Sequence, residues 1–355
     1  MADESSEVTV ENTGESYRCT PDTALLDAAL AAGLHMPHNC RGGACGTCKA
    51  HVLEGSVDHG WVMSFAITDE EKAAGYCLCC QSKPRAPRIR LRMVNDMAPR
   101  VAGEDKIVPA EIAATIIAAH LVTPSILRLV VAVPPTVRFH YRAGMDMEFL
   151  LPGIGAPRPY SIATAPDDDG APAGGQLTFY ITHHAQGASS TWLHENARIG
   201  EALTLRGPYG DFAFPADHAG PVLALAGGSG LSPVLAAVTD ALAQGFAAPV
   251  RLVFSVRDRR EIFALDELDR LARRHQNFAW QITLTREPDA PAPWTKGRIP
   301  ELLGAQHPDL KGYAALIAGG PGFVDACSAA LRALGVAPER IILDSFLPRS
   351  APQGR

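Results

Sequence analysis

Residues 38–50 read HNCRGGACGTCKA and set three cysteines, Cys40, Cys45 and Cys48, within nine positions, separated mostly by glycine and alanine. The pair in CGTC, taken alone, suits a redox dithiol or half of a zinc site, because C-x-x-C aims two sulfurs at one point. Cys40 adds the C-x4-C-x2-C spacing by which thiolates hold a [2Fe-2S] cluster, and Cys77, Cys79 and Cys80 follow where a fourth thiolate is needed. Six of the eight cysteines fall within residues 40–80, with Cys19 and Cys327 outside. A Rieske centre needs histidine ligands, and no C-x-H followed by C-x-x-H occurs.

The small residues of the loop have a physical purpose. Thiolates and bridging sulfides concentrate negative charge, and Gly42, Gly43, Ala44 and Gly46 let backbone N–H groups approach it. In the extended segment GYCLCCQSKP, Cys77 and Cys79 share one face and Cys80 takes the other, so the residues alone leave three candidates for the fourth ligand. Cysteines outside the ligand set read as small buried hydrophobes. His35 and His38 read as surface histidines, with hydrogen bonding to the cluster as their functional option.

These residues need a small domain to hold them. EVTVEN and ESYRCT predict a strand pair turning at Gly14, and PDTALLDAALAAG predicts a helix capped by Asp22 or Thr23 and ended by Gly33. RIRLR at 88–92 alternates as a closing strand whose arginines form a solvated face. Strand, strand, helix, cluster loop is the β-grasp order of a plant-type ferredoxin.

The chain is long for one core: 355 residues predict two or three domains. A formal net charge of -6 argues against general nucleic-acid binding, which relies on Lys and Arg neutralising phosphates. No apolar run approaches the roughly 18 residues of a membrane span. The opening MADESSEVTV has neither the basic nor the apolar region of a secretory signal, which predicts a cytoplasmic protein with reduced thiols.

The boundaries expected are 1–98 for the cluster domain, 106–216 for a second domain and 217–355 for a third, with a linker in DMAPRVAGEDKIVPA. The second is a succession of short strands, MDMEFLLPG, RPYSIAT, QLTFYIT and EALTLRGPYG, which suggests a small antiparallel barrel. The third alternates strand, glycine-rich turn and helix from Pro221, the pattern of a parallel α/β domain. Its turn AGGSGLSP suits either a pyrophosphate at a helix's positive end or an ordinary tight turn. It lacks G-K-[ST], and Pro233 stands where a G-x-G-x-x-G fingerprint has its last glycine.

RPYSIAT at 158–164 matches the R-x-Y-S-x-x signature of the ferredoxin-NADP reductase superfamily, and GxxS at 187–190, GPYG at 207–210 and GGSGLSP at 227–233 follow in that order. With the cluster segment in front, the chain resembles the three-domain NADH:acceptor reductases of bacterial multicomponent oxygenases, such as the benzoate dioxygenase and phenol hydroxylase reductases. The resemblance implies a multidomain fold: an α+β β-grasp ferredoxin, an antiparallel β-barrel FAD domain and an α/β parallel-sheet nucleotide-binding domain. Because the family's ligand directly precedes a glutamine, it implies Cys40, Cys45, Cys48 and Cys80 as the metal ligands.

The same likeness implies that Arg158 pairs with the flavin phosphate, beside Pro159, while Tyr160 lies against the isoalloxazine and Ser161 reaches toward N5. Gly187, Ala188, Ser189 and Ser190 open a helix whose N–H groups would hold the FAD pyrophosphate, and Trp192 packs. Gly227, Gly228, Ser229 and Gly230 would approach the nicotinamide dinucleotide, as would Gly319, Gly320 and Pro321. The family's C-G-P-P here reads AGGP, with Ala318 in the cysteine's place, so no thiol serves hydride transfer. LDSF would bring Phe346 near the flavin and the nicotinamide, with Asp344 a weaker contact.

Arg257, Arg259 and Arg260 stand where the adenosine ribose is contacted and could welcome a 2'-phosphate, but the expectation is NADH, with NADPH the alternative. Nicotinamide gives two electrons as hydride, a cluster accepts one, and flavin alone takes two and releases them singly. The implied order is NADH, FAD, [2Fe-2S], then a partner protein, a terminal oxygenase, approaching the cluster edge expected to be exposed around Arg41 to Ala44. No acid/base triad is required, and the twelve histidines need no catalytic role. The rival readings are a reductase feeding a deoxysugar dehydratase, a non-enzymatic electron-carrier ferredoxin and a zinc-binding interaction module.

Overall fold

A computed structural model describes residues 5–95, 107, 109–155, 157–287, 289–306 and 309–346; the expected linker lies mostly outside them. The chain divides into two compact units, residues 1–105 with 345–355 and residues 106–344. The first unit runs β1 (Ser6–Val10), β2 (Glu15–Cys19), α1 (Leu25–Ala31), β3 (Lys49–Glu54), β4 (Val57–Asp58), α2 (Asp69–Ala73), β5 (Tyr76–Leu78), β6 (Lys83–Pro84) and β7 (Arg88–Met93). Its five-stranded sheet has the order β2-β1-β7-β3-β5, with β1 and β7 parallel and the other neighbours antiparallel.

Period-two burial makes these strands. In β7, Ile89, Leu91 and Met93 are buried while Arg88, Arg90 and Arg92 face out, two of them paired with Glu11. The turn between β1 and β2 sits at Gly14, whose φ of 75° favours glycine. Helix α1 buries Leu25, Leu26, Ala28 and Ala29 on the sheet. Its expected caps are not used: the N-cap is Ala24, without a side-chain bond, and Thr23 Oγ1 bonds Thr20 Oγ1 at 2.6 Å instead. The helix's first N–H groups are satisfied by chain carbonyls, Leu25 N donating to Ser82 O at 2.9 Å and Leu26 N to Cys79 O at 3.0 Å.

The second unit begins with β8 (Ala110–Leu121), β9 (Ile126–Ala132), β10 (Asp146–Leu150), β11 (Arg158–Ser161), β12 (Gln176–Thr182), α3 (Ala188–Asn196) and β13 (Ala202–Tyr209). The strands form an antiparallel sheet in the order β11-β10-β13-β8-β9-β12. Just past β11, Ala163 N donates to Thr178 O on β12 at 2.8 Å, which draws the two edges together into a barrel. Leu129, Phe149, Phe179 and Leu205 fill it.

The rest comprises β14 (Val222–Gly227), α4 (Leu231–Ala243), β15 (Val250–Val256), α5 (Leu265–Arg274), β16 (Phe278–Leu284), β17 (Thr295–Lys296), α6 (Ile299–Gln306), β18 (Ala314–Gly319), α7 (Pro321–Ala333) and β19 (Ile341–Ser345). The sheet order is β17-β16-β15-β14-β18-β19, and β14 pairs in parallel with both β15 and β18. Strands such as VLALA, buried on both faces, are what helices packed on a parallel sheet require. The chain moves from β14 to β15 on one side and later returns to β18 on the other, so a crevice opens at the carboxyl end of β14.

Gly230, at the start of α4, fixes how closely helix and sheet approach: a Cβ there would lie 2.1 Å from the carbonyl oxygen of Ala318. Gly230→Ala should therefore destabilise the protein by about 2 kcal/mol through overpacking against backbone. Urea denaturation reads the change, and a midpoint unmoved from the parent's would mean that the loop has room.

Candidate functional site

The cluster loop is shaped by close packing on three sides. Gly43 has φ 81°, and a Cβ there would meet Trp61 O at 2.7 Å and Gln81 Cγ at 2.9 Å. Arg41, at φ 47°, donates to Asp27 of α1 at 2.8 Å, and the Gln81 amide donates to the carbonyls of Arg41 and Cys80. Arg41 to Ala44 are consequently buried beneath Trp61 to Met63 and Gln81, which overturns the expected exposed edge. Half-exposed instead are Cys40, Cys45, Gly46 and Thr47. His38 is buried at 1% exposure with Nδ1 2.6 Å from Met36 O, so only His35 of the two is a surface histidine.

The loop and the segment after β5 set Cys40 beside Cys45 and Cys48 beside Cys80, near enough for each thiol to shift its neighbour's titration, although among the described residues no three ligand side chains are drawn in to a single metal-ion site. Backbone N–H groups of Gly42 and Ala44 donate to Cys40 Sγ at 3.5 and 3.4 Å. The hydrogen bond from Cys40, helped by Thr47, brings the Cys45 thiol down to about 6 despite its burial. Donation to Cys45, burial and neighbouring sulfur charge push Cys40 well up. A metal bound there would have to displace the thiol protons, so its affinity should rise with pH. Cys77 and Cys79 are free and fully buried, and Cys19 and Cys327 are also buried.

In the barrel, Arg158, Pro159, Tyr160 and Ser161 form the whole of edge strand β11, all half-buried. Tyr160 packs edge-on to Phe149 with ring centroids 4.9 Å apart, and burial pushes its phenol up. On the neighbouring strand, Glu148, 3% exposed, accepts from Arg206 Nε and Nη2 at 3.0 and 2.7 Å. Gly187 precedes α3 and has no capping side chain. Ser190 Oγ closes this turn, accepting from His184 N at 3.1 Å and donating to Gly187 O at 3.0 Å. A Cβ on Gly187 would stand 2.7 Å from that hydroxyl. Ser189 Oγ is buried without a partner at the helix's positive end. Trp192 packs against the barrel core.

At the parallel sheet, the turn Gly228–Gly230 leads into α4, and Ser229 Oγ accepts from Thr182 Oγ1 of barrel strand β12 at 2.9 Å. Gly228, at φ 56°, faces open space, as do Gly320 and Gly322. Ala318 is buried within β18, Gly319 ends that strand, and Gly320 and Pro321 start α7. In the turn directly after β15 each of the three arginines has an acidic partner: Arg257 with Glu261, Arg259 with Glu287 and Arg260 with Asp258. Asp344 is buried in β19, and Phe346 follows it half-buried.

Three domain families match in series: the 2Fe-2S iron-sulfur cluster binding domain over residues 8–85, the oxidoreductase FAD-binding domain over 113–214 and the oxidoreductase NAD-binding domain over 224–329. The reductase subunit of an aromatic O-demethylase from Amycolatopsis sp. is 31% identical over 342 residues, 95% of this chain and 98% of that protein. The chain belongs to this family of oxygenase reductases. The reductase component of a Pseudomonas phenol 2-monooxygenase is likewise 31% identical, over 90% of this chain and 88% of its own. Among solved structures, the Amycolatopsis reductase GcoB superposes with a TM-score of 0.79 at 30% identity, covering 97% of this chain and all of that one.

The reductase's fold is thus a β-grasp ferredoxin, a nearly closed FAD-binding barrel and an α/β nucleotide-binding domain, and its cofactors are a [2Fe-2S] cluster, FAD and a nicotinamide dinucleotide. Among the described residues no helix is long and apolar enough to cross a membrane. Sequence reasoning missed the acids that pair with the arginines, although Glu261 lies four residues after Arg257. The Thr182–Ser229 bond left no signal, since it joins residues 47 apart.

The two serines of the α3 turn should separate cleanly. In flavin-free protein, Ser190→Ala is expected to cost about 1–3 kcal/mol of stability, because buried groups of the turn lose their partner, whereas Ser189→Ala should be nearly neutral. Urea unfolding of both variants is the measurement; equal losses would contradict the division of roles.

Proposed function

We propose that the reductase carries electrons from NADH through FAD and the [2Fe-2S] cluster to a terminal oxygenase in the cytoplasm. A cysteine loop whose backbone N–H groups donate to Cys40 Sγ, in a chain that matches cluster, flavin and nucleotide domains in series, carries this reading. The oxygenase partner is argued from relatives described as reductase components of demethylase and phenol monooxygenase systems. Eight free cysteines agree with a reducing compartment. The boundaries proposed are 1–98, 106–216 and 217–355.

When bound, nicotinamide supplies a hydride, flavin parts the electron pair and the cluster passes single electrons. Cys40, Cys45, Cys48 and Cys80 would hold the irons as thiolates. Arg158 would meet the flavin phosphate with a guanidinium fork, Pro159 and Tyr160 its ring system, and Ser161 the N5 edge. The uncapped start of α3 at Ala188, with the hydroxyl of Ser189, fits the pyrophosphate, while Gly187, whose N–H donates to His184 O at 2.8 Å, and Ser190 hold the turn. Gly228, Gly320 and Pro321 would receive the dinucleotide at the crevice, with Gly227, Ser229, Gly230 and Gly319 shaping its floor. Phe346 would cover the flavin.

Cys80→Ser should lose iron, acid-labile sulfide and cytochrome c reduction yet keep NADH-driven dye reduction at the flavin. Cys79→Ser should keep all four, and the reverse pattern would move the fourth ligand to Cys79.

The acid partners of Arg257, Arg259 and Arg260 favour NADH, because Asp258, Glu261 and Glu287 would repel a 2'-phosphate. NADH should exceed NADPH in kcat/KM by roughly tenfold. Glu261→Gln, which releases Arg257, should narrow that ratio about two- to fivefold, the scale of an exposed ion pair. Steady-state kinetics with both nucleotides checks it, and a preference for NADPH in the parent would refute the assignment.

A further inference from the structure

Phe323, in the first turn of α7, lies across the two glycines that end neighbouring strands of the nucleotide domain. A Cβ on Gly227, the last residue of β14, would stand 3.0 Å from the Cδ1 and Cγ of its ring. One on Gly319, the last residue of β18, would stand 2.9 Å from the same Cδ1. The ring itself is only half-buried. Both glycines therefore admit an aromatic ring of this chain, while Gly228, Gly320 and Gly322 beside it meet nothing within 4 Å. The crevice has an aromatic wall on the β14/β18 side and open backbone around it.

The sheet order gives the crevice a direction. Arg257, Arg259 and Arg260 follow β15, on one side of β14, and Phe323 sits at β18, on the other. The barrel reaches the turn between them through the Thr182–Ser229 hydrogen bond. A dinucleotide with its adenosine at the arginines would extend toward Phe323 with its other end.

We infer that Phe323 is a positioning residue whose ring is the wall against which the nicotinamide half of the dinucleotide packs. This rests on the reading of the crevice as the dinucleotide site. The chemistry suits it: an aromatic face accepts a flat ring, and the oxidised nicotinamide is a cation that the face attracts further. With Ala318 buried in β18, no thiol competes for this place.

The test uses the full chain loaded with flavin and cluster, titrated calorimetrically with NAD+ and with ADP-ribose, which lacks the nicotinamide. Phe323→Ala should weaken NAD+ by roughly five- to tenfold and leave ADP-ribose within about twofold. Phe323→Leu, which keeps apolar bulk without a ring face, should weaken NAD+ alone by about threefold and carries the test should the alanine variant not accumulate. A purely structural role would move both ligands together, and that outcome, or no change in either, overturns the inference. Failure of the parent to bind either ligand would instead overturn the crevice's assignment and this inference with it.

Discussion

The first unit depends on bringing Cys80 to a loop that ends 32 residues earlier, at Cys48. Helix α1 does this with its backbone: its opening N–H groups donate to the carbonyls of Cys79 and Ser82, and Cys79 N donates to Cys48 O at 3.0 Å. The same helix holds the loop from the other side through Asp27 and Arg41. An uncapped helix start would ordinarily lack partners for its N–H groups; here the segment around Cys80 supplies them, so local helix formation and the approach of Cys80 to the cysteine loop are coupled.

In the second unit the corresponding constraint is close approach of backbone to backbone. Gly230 lets the turn before α4 touch β18, and Ser229, held by Thr182, fixes the turn to the barrel. If a flavin binds on β11 and a nucleotide at the carboxyl end of β14, as proposed, this turn between barrel and sheet sets their separation. The barrel is pinned in turn by Ala163 N to Thr178 O, which sets β11 against β12.

The fold was legible because each layer leaves a periodic trace. Ile89, Leu91 and Met93 alternate with three arginines, and VLALA runs unbroken, so half-buried and fully buried strands announce themselves. The cysteine spacing was legible for a similar reason, since ligands on one tight loop must be near in sequence. What stayed hidden was side-chain partnership across long separations. Asp22 and Thr23 look like caps, yet tertiary carbonyls took that place; His38 looks like a surface residue, yet Met36 O receives it. Arg41 to Ala44 look like an exposed loop because nothing local reveals that Trp61 and Gln81 fold over Gly43.

The glycines of GGSG make the same point at a finer grain. Read as a motif, all of them serve a bound phosphate. Their surroundings divide them: Gly228 turns with positive φ into open space, Gly230 separates helix from strand, and Gly227 accommodates an aromatic ring from α7. The positive φ already explains the first as a glycine, and its open side is what is left for a ligand. A glycine-rich signature therefore encodes packing and binding together, and the position where neither backbone strain nor a neighbouring atom forbids a side chain is where a ligand's demand is most directly felt. Gly320 and Gly322, with no atom within 4 Å and no positive φ, are such positions, and both lie in the segment that carries Phe323.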